Sequence, residues 1–114
     1  MTIYDNVGLH VIIKKEGELL KDSSIFGGCL FLVRSAEFLS ERGVNNIWKL
    51  RELSIKTELP VVCLVNDVGA CRGIYGGISS SEIALMSDSV GILKSENTIE
   101  LVKCRFSRTG TIKI

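Results

Sequence analysis

The sequence predicts a single α/β domain with a mostly parallel sheet of about five strands and flanking helices. Residues 7–13 and 61–65 are apolar and β-branched almost throughout, as strands covered on both faces are. Between them, in residues 45–56, apolar side chains recur near the helical period. Strands that alternate with helical segments imply parallel crossovers. The 114 residues, of which 46% are hydrophobic, suffice for one domain with its own core.

The N-terminal half is predicted to hold the first strand at residues 7–13 and a second apolar run at residues 29–33. From Arg34 the pattern suits a short helix that ends at Gly43, although the run and this helix also fit a single element. A second helix follows, capped by the asparagines at residues 45–46. Pro60 cannot continue that helix and opens the next strand.

The C-terminal half is predicted to hold a strand at residues 82–86 and a short helix at residues 88–94. The helix is expected because its acidic start and basic end agree with the helix dipole. Residues 98–102 alternate as an edge strand does and close the domain, which thus spans residues 1–102. Residues 103–114 are polar and basic, and are expected to form a C-terminal extension or hairpin arm.

Charge and hydropathy limit the function classes. The formal net charge is +1, and basic residues are scattered apart from a modest group at Lys103, Arg105, Arg108 and Lys113. We therefore expect no broad polyanion-binding face and no direct nucleic-acid binding. No signal-like start and no apolar run near the ~18–20 residues that span a bilayer are present, so a cytoplasmic protein without membrane contact is expected.

The cysteines and the histidine carry the possible chemistry. Cys29, Cys63, Cys71 and Cys104 contain no CxxC pair, so no metal site is expected, and in a reducing cytoplasm they are expected to be thiols. His10 lies within an apolar strand, where a hydrogen-bonded core or edge histidine is expected rather than a general base. No dinucleotide fingerprint and no Walker lysine are present, and no cofactor is expected.

The strongest candidate site follows the strand at residues 61–65. In an open parallel sheet, ligands bind beyond the carboxyl ends of the strands, and this strand leads into a glycine-rich loop. Cys71 in that loop and Cys63 in the strand are the candidate reactive thiols. The candidate residues that line the site or stabilise a thiolate are Asn66, Asp67, Arg72 and Gly73.

The order of these segments resembles the DsrE/DsrF/DsrH family of small sulfur-relay proteins, and is most similar to its DsrH (TusB-like) branch. The run Leu-His-Val-Ile-Ile-Lys at residues 9–14 is similar to the opening strand of that branch. Residues 63–67, followed by Arg-Gly-Ile at residues 72–74, resemble its strand, acidic turn and helix end. Segments at residues 83–87, 90–93 and 99–102 fall where the family has its last elements.

The resemblance implies a flavodoxin-like domain that forms homo- or hetero-oligomers with sulfur donor and acceptor proteins. Active branches of the family carry a persulfide on one cysteine, as in tRNA thiolation or sulfur oxidation. If this chain resembles them in activity, the resemblance implies a sulfurtransferase. The carrier position of the DsrE branch falls near residues 64–65, one or two residues from Cys63. Because the DsrH branch often lacks a working thiol, both an active carrier and a structural subunit remain open.

Two alternatives belong to other function classes. The first is a non-catalytic scaffold or partner subunit on the same fold, in which the glycines and thiols only pack. The second is an acyl-CoA-binding domain of the crotonase or carboxyltransferase type, since residues 60–65 and 82–88 are faintly similar to its oxyanion-loop region. That fold is usually about twice the length of this chain.

Overall fold

The computed structural model describes residues 3–15, 26–35, 43–67, 87–96, 98–106 and 110–113. Over these residues the chain is a compact α/β domain with a six-stranded sheet and one α-helix. The elements after a short 3-10 helix (Ile3–Asp5) are β1 (Leu9–Lys15), β2 (Leu30–Ser35), α1 (Gly43–Thr57), β3 (Val61–Asp67), β4 (Ser89–Ser95), β5 (Thr98–Cys104) and β6 (Gly110–Lys113). The strand expected at residues 82–86 lies outside the described residues.

The sheet is mixed, with strand order β2-β3-β1-β4-β5-β6. The four neighbouring strands β2, β3, β1 and β4 are parallel to one another. β5 and β6 are each antiparallel to their neighbours. The expectation of a mostly parallel, flavodoxin-like sheet of about five strands is therefore wrong for the C-terminal half. Only residues 96–97 separate β4 from β5, and a parallel crossover needs a dozen residues or more. The chain must therefore reverse at this point.

Strands β1 and β3, in the interior of the sheet, are buried on both faces. This burial explains their continuous apolar sequence. On one face, α1 packs over β1, β3 and the start of β4. The buried apolar cluster on this face consists of Leu9, Val11, Ile13, Ile47, Leu50, Val61, Cys63, Val65 and Val90. The other face is covered by residues of the N-terminal segment and of β5. The buried apolar cluster on this face consists of Tyr4, Ile12, Phe26, Val62, Leu64, Leu93, Ile99 and Leu101. The strands predicted at residues 7–13 and 61–65 are confirmed with small shifts of their ends.

The short helix predicted at residues 88–94 is wrong, because this segment forms β4. A charge at each end fits a helix dipole, but tertiary packing outweighs that weak preference. Gly91 lies at the middle of β4, where a Cβ atom would come within 2.6 Å of Ile99 Cγ2. The close approach of β5 therefore requires a residue without a side chain, and a glycine at this point also weakens a helix.

The ends of α1 and β5 also differ from expectation. Gly43 is the first residue of α1 and does not end a helix, while the helix expected before it lies largely outside the described residues. The helix ends at Thr57, and Glu58 takes a left-handed φ of 57° before Pro60. Residues 98–102 form a strand as predicted, but β6 pairs with its outer side, so β5 is not an edge. β5 continues to Cys104, and β6 pairs with it in antiparallel orientation.

Candidate functional site

The carboxyl ends of three parallel strands meet at one edge of the sheet, which we call the carboxyl edge. Asn66 and Asp67 end β3 and are in register with Lys14 and Lys15 of β1. On the other side, Ser35 at the end of β2 is in register with Asn66. The backbone thus brings the predicted residues Asn66 and Asp67 to the edge where ligands bind in open α/β sheets.

The principal candidate thiol follows this edge. Cys71, Arg72 and Gly73 lie outside the described residues, so their predicted roles stay predictions. In the sequence, Cys71 is four residues after Asp67, the last residue of the central strand β3.

Cys63, the second candidate thiol, lies in the middle of β3 opposite Val11 and Leu32. Its side chain is fully buried within the core under α1. A persulfide carrier needs a thiolate that a second molecule reaches, and this thiol has no such route in the folded state. The burial matches the alternative interpretation of Cys63 as a small core hydrophobe.

The other described thiols also differ from a carrier thiol. Cys29 is half-buried, and its Sγ donates to the Tyr4 carbonyl oxygen at 3.1 Å. Burial, with a smaller contribution from Asp5, raises the pKa of the Cys29 thiol. Cys104 is half-buried on the same face of the sheet, and neither it nor Cys29 forms a disulfide. Cys29 is thus held in the protonated form that is the poorer nucleophile.

A polar cluster that the sequence did not predict lies at the opposite, amino edge of the parallel strands. Its centre is the buried carboxylate of Asp88, immediately before β4. Asp88 Oδ2 accepts a hydrogen bond from the Leu9 N–H at 2.8 Å. Asp88 Oδ1 lies 3.1 Å from Arg105 Nη1 and 3.8 Å from Arg51 Nη2. One carboxylate thus joins β1, α1 and the segment after β5.

Gly8 and Ser54 complete the contact between β1 and α1. Gly8 has a φ of +146°, and a Cβ atom at this position would overlap the Asp88 carboxylate. The Gly8 N–H donates to Ser54 Oγ at 2.7 Å, and the Ser54 hydroxyl donates to the Leu59 carbonyl at 2.6 Å. The buried serine therefore satisfies one donor immediately before β1 and one acceptor beyond α1.

Three cationic side chains lie around the Asp88 carboxylate at the amino edge. Lys103 Nζ donates to the Ser87 carbonyl at 2.6 Å, beside the two arginines on Asp88. Burial is the largest cause of the lowered pKa of Lys103, and repulsion by Arg105 and Arg51 lowers this pKa further. The negative charge of Asp88 acts in the opposite direction and raises it. Three cations therefore share the field of one buried carboxylate. The Ser87 hydroxyl is also buried, and no described residue forms a hydrogen bond with it.

His10 is fully buried and hydrogen-bonded through both ring nitrogens, as expected for a core histidine. Its Nε2 lies 2.9 Å from the Asn6 carbonyl oxygen, which only accepts, so Nε2 carries the proton. Its Nδ1 then accepts from the Ser89 hydroxyl at 2.7 Å. Burial lowers the pKa of His10, against smaller opposite effects of the Asn6 hydrogen bond and Asp88.

The pair of Ser89 and His10 has the hydrogen bond of a nucleophile and its base, but not the access. Ser89 is 1% exposed and His10 fully buried, so no substrate carbonyl reaches the hydroxyl. The chemistry that this arrangement performs is structural: it satisfies polar groups between β1, β4 and the N-terminal segment. The sequence signal that was missed is the polar run Ser87-Asp88-Ser89 at the start of an otherwise apolar strand.

The sequence matches no protein-family model, no curated protein and no solved structure. No helix among the described residues is long and apolar enough to cross a bilayer. Within the same residues, no three His, Cys, Asp or Glu side chains come together as a metal site.

Proposed function

We propose that this protein is a small sulfur-relay protein that carries persulfide sulfur on Cys71 between donor and acceptor proteins. The observation that supports the proposal is the end of β3. This central parallel strand ends at Asp67 on the carboxyl edge, in register with Lys15 of β1, and Cys71 follows four residues later in the sequence. Cationic side chains near a thiol favour its thiolate form, which is the nucleophile.

The transfer step needs no oxidant. The Cys71 thiolate attacks the outer sulfur of a donor persulfide and forms a new S–S bond to it. The donor's S–S bond breaks, and its electron pair leaves with the donor thiolate. Reversal of the step on an acceptor thiol regenerates Cys71. In this proposal Arg72 and neighbouring backbone N–H groups stabilise the Cys71 thiolate, and Gly73 allows the second molecule to approach it closely.

Intact-mass spectrometry after incubation with glutathione persulfide tests the proposal. The wild-type chain is expected to gain one sulfur, which a reductant removes. Cys71→Ser is expected to abolish the gain, whereas Cys63→Ser, which changes a sealed thiol, is expected to retain it. Cys29→Ser and Cys104→Ser serve as matched controls for half-buried thiols. A wild-type chain without added sulfur, or a Cys71→Ser chain that gains it equally, contradicts the carrier role.

A second candidate is a non-catalytic partner subunit on the same fold. It is favoured by the outer face of α1, where Trp48 and Ile55 lie two turns apart and are exposed, followed by exposed Leu59. Exposed apolar side chains on one surface are typical of protein contacts. This candidate is supported if the chain takes up no sulfur but retains a donor or acceptor protein during purification, and loses it in a Trp48→Ala, Ile55→Ala chain.

A further inference from the structure

The outer side of α1 carries two large apolar side chains in one stripe. Ile47, Leu50 and Ser54 are buried against the sheet and define the inner side of this helix. Trp48 and Ile55 are seven residues apart, which is about two helical turns, so they lie above one another on the outer side. They are 46% and 60% exposed.

Two charged side chains follow one flank of this apolar pair. Lys49 and Glu52 are three residues apart, so they project from the same side of the helix. Both are exposed, and neither forms an ion pair within the part of the chain that the structure describes. We call Trp48, Lys49, Glu52 and Ile55 the α1 face.

The exposed charges around the α1 face balance one another. The exposed charged residues of the helix and of the position after it are Lys49, Lys56, Glu52 and Glu58. Arg51, the remaining charged residue of α1, contacts the buried carboxylate of Asp88. A nucleic acid or an anionic membrane would require an excess of positive charge on this surface. Two charges of each sign instead favour a partner that also carries both signs.

We propose that the α1 face binds a second copy of this chain, as an antiparallel pair of α1 helices related by a twofold axis. In this arrangement the same flank of each helix lies side by side in reversed order. When Trp48 of one copy lies opposite Ile55 of the other, Lys49 lies opposite position 54. It is then about 3 Å along the helix axis from Glu52 of the other copy. One register therefore forms both the apolar contact and the ion pair, each of them twice.

The size of the α1 face limits the strength of this dimer. The helix has 15 residues, so it is about 22 Å long and about 10 Å wide. A standard stable interface buries about 800 Å² on each partner, which is more than one helix face of these dimensions provides. We therefore expect a reversible dimer that dissociates on dilution. It does not depend on sulfur transfer, and it gives this face a different occupant from the donor or acceptor protein considered above.

Sedimentation velocity of the intact chain over a series of concentrations tests the proposal. We expect the average mass to rise from that of one chain toward that of two. Trp48 is the only tryptophan of the chain, so its emission should shift to shorter wavelength over the same concentrations as its ring becomes covered. Ile55→Ala is expected to weaken the dimer about tenfold. Leu53→Ala is the matched control, because Leu53 is exposed on the same helix but projects to another side.

Charge reversal tests the register of the two helices. Lys49→Glu makes both charged positions of the α1 face acidic, and Glu52→Lys makes both basic. Each variant alone is expected to remain monomeric where the wild-type chain is dimeric, because like charges then meet. An equimolar mixture of the two variants is expected to dimerise, because the acidic face of one meets the basic face of the other. Circular dichroism of each variant establishes that it is folded.

Three outcomes would overturn the proposal. They are a wild-type chain that stays monomeric at every concentration, equal losses in Ile55→Ala and Leu53→Ala, and a mixture of the two charge variants that stays monomeric. A monomeric wild-type chain that retains a donor or acceptor protein through Trp48 and Ile55 would assign the α1 face to that protein and reject the second copy. Sulfur uptake at Cys71 is measured separately by mass spectrometry, so its failure is distinguishable from the failure of the dimer.

Discussion

The protonation of His10 is the clearest link between one residue and the stability of this protein. Burial lowers the pKa of His10 below its ordinary value of about 6.5. Between the ordinary and the lowered pKa, the unfolded chain therefore binds more protons than the folded chain. The contribution of His10 to the free energy of unfolding should be constant at pH values above the ordinary pKa. It should decrease as the pH falls from the ordinary pKa through the lowered pKa.

Urea unfolding between pH 8 and 5 measures this effect. His10 is the only histidine of the chain, so no other imidazole contributes. His10→Gln retains a donor and an acceptor but does not titrate, and it should show a flatter pH dependence over the same range. An equal slope in both chains would contradict the assignment to His10.

Gly8 gives a second prediction at the scale of one residue. A Gly8→Ala substitution forces a side chain into a left-handed backbone and against the buried Asp88 carboxylate. We expect the free energy of unfolding to decrease by about 2–4 kcal/mol. The matched control is Gly28→Ala, because nothing lies within 4 Å of the added Cβ there. A loss for Gly8→Ala that is no larger than the loss for Gly28→Ala, measured by urea unfolding, would contradict this prediction.

Individual residues were predictable from local pattern, but their partners were not. An apolar strand around His10 is enough to predict a buried, hydrogen-bonded imidazole. Ser89, its partner, lies 79 positions further along the chain, and only the parallel pairing of β1 with β4 brings them together. For the same reason the sequence did not predict that Asp88, Arg51 and Arg105 meet.

At the scale of elements, Ser54 joins α1 to the residue before β1 and to the residue before Pro60. Ser54→Ala leaves the Gly8 N–H and the Leu59 carbonyl without their observed partner. We expect it to lower the free energy of unfolding by about 1–3 kcal/mol, since unsatisfied buried groups carry that cost. Thr57→Ala in the same helix is the control. Its hydroxyl bonds the Leu53 carbonyl at an exposed site, where a change within about 0.5 kcal/mol is expected. Thermal and urea unfolding that fail to separate the two variants would contradict this role of Ser54.

The elements that the sequence predicted correctly are those with a long and consistent pattern. β1 and β3 are apolar throughout, and α1 has a helical period interrupted by Pro60. β4 was mistaken for a helix because its seven residues carry only weak local signals. Its strand conformation arises from pairing with β1 and from the close contact of Gly91 with Ile99, both of which depend on distant parts of the chain.

For the whole molecule, the mixed sheet separates two polar regions. The parallel strands direct the chain toward the carboxyl edge, where the candidate thiol segment begins. The antiparallel return of β5 brings Lys103, Arg105 and Phe106 to the amino edge instead. The predicted tail of residues 103–114 therefore supplies part of a surface, because β5 extends to Cys104 and its end contacts Asp88.

Thiol labelling tests whether this domain opens as one unit. Cys63 is sealed between β3's neighbours and α1, whereas Cys29 and Cys104 are only half-buried. We expect iodoacetamide to label Cys63 only through opening of the core, so that its rate falls with the free energy of unfolding. The test uses one chain in which Cys29, Cys71 and Cys104 are all replaced by serine. In that chain, Ser54→Ala should accelerate Cys63 labelling by the factor that its loss of stability predicts, and Thr57→Ala should not. Rapid labelling of Cys63 that is independent of Ser54 would reveal a local route to this thiol, and would return Cys63 to consideration as a carrier.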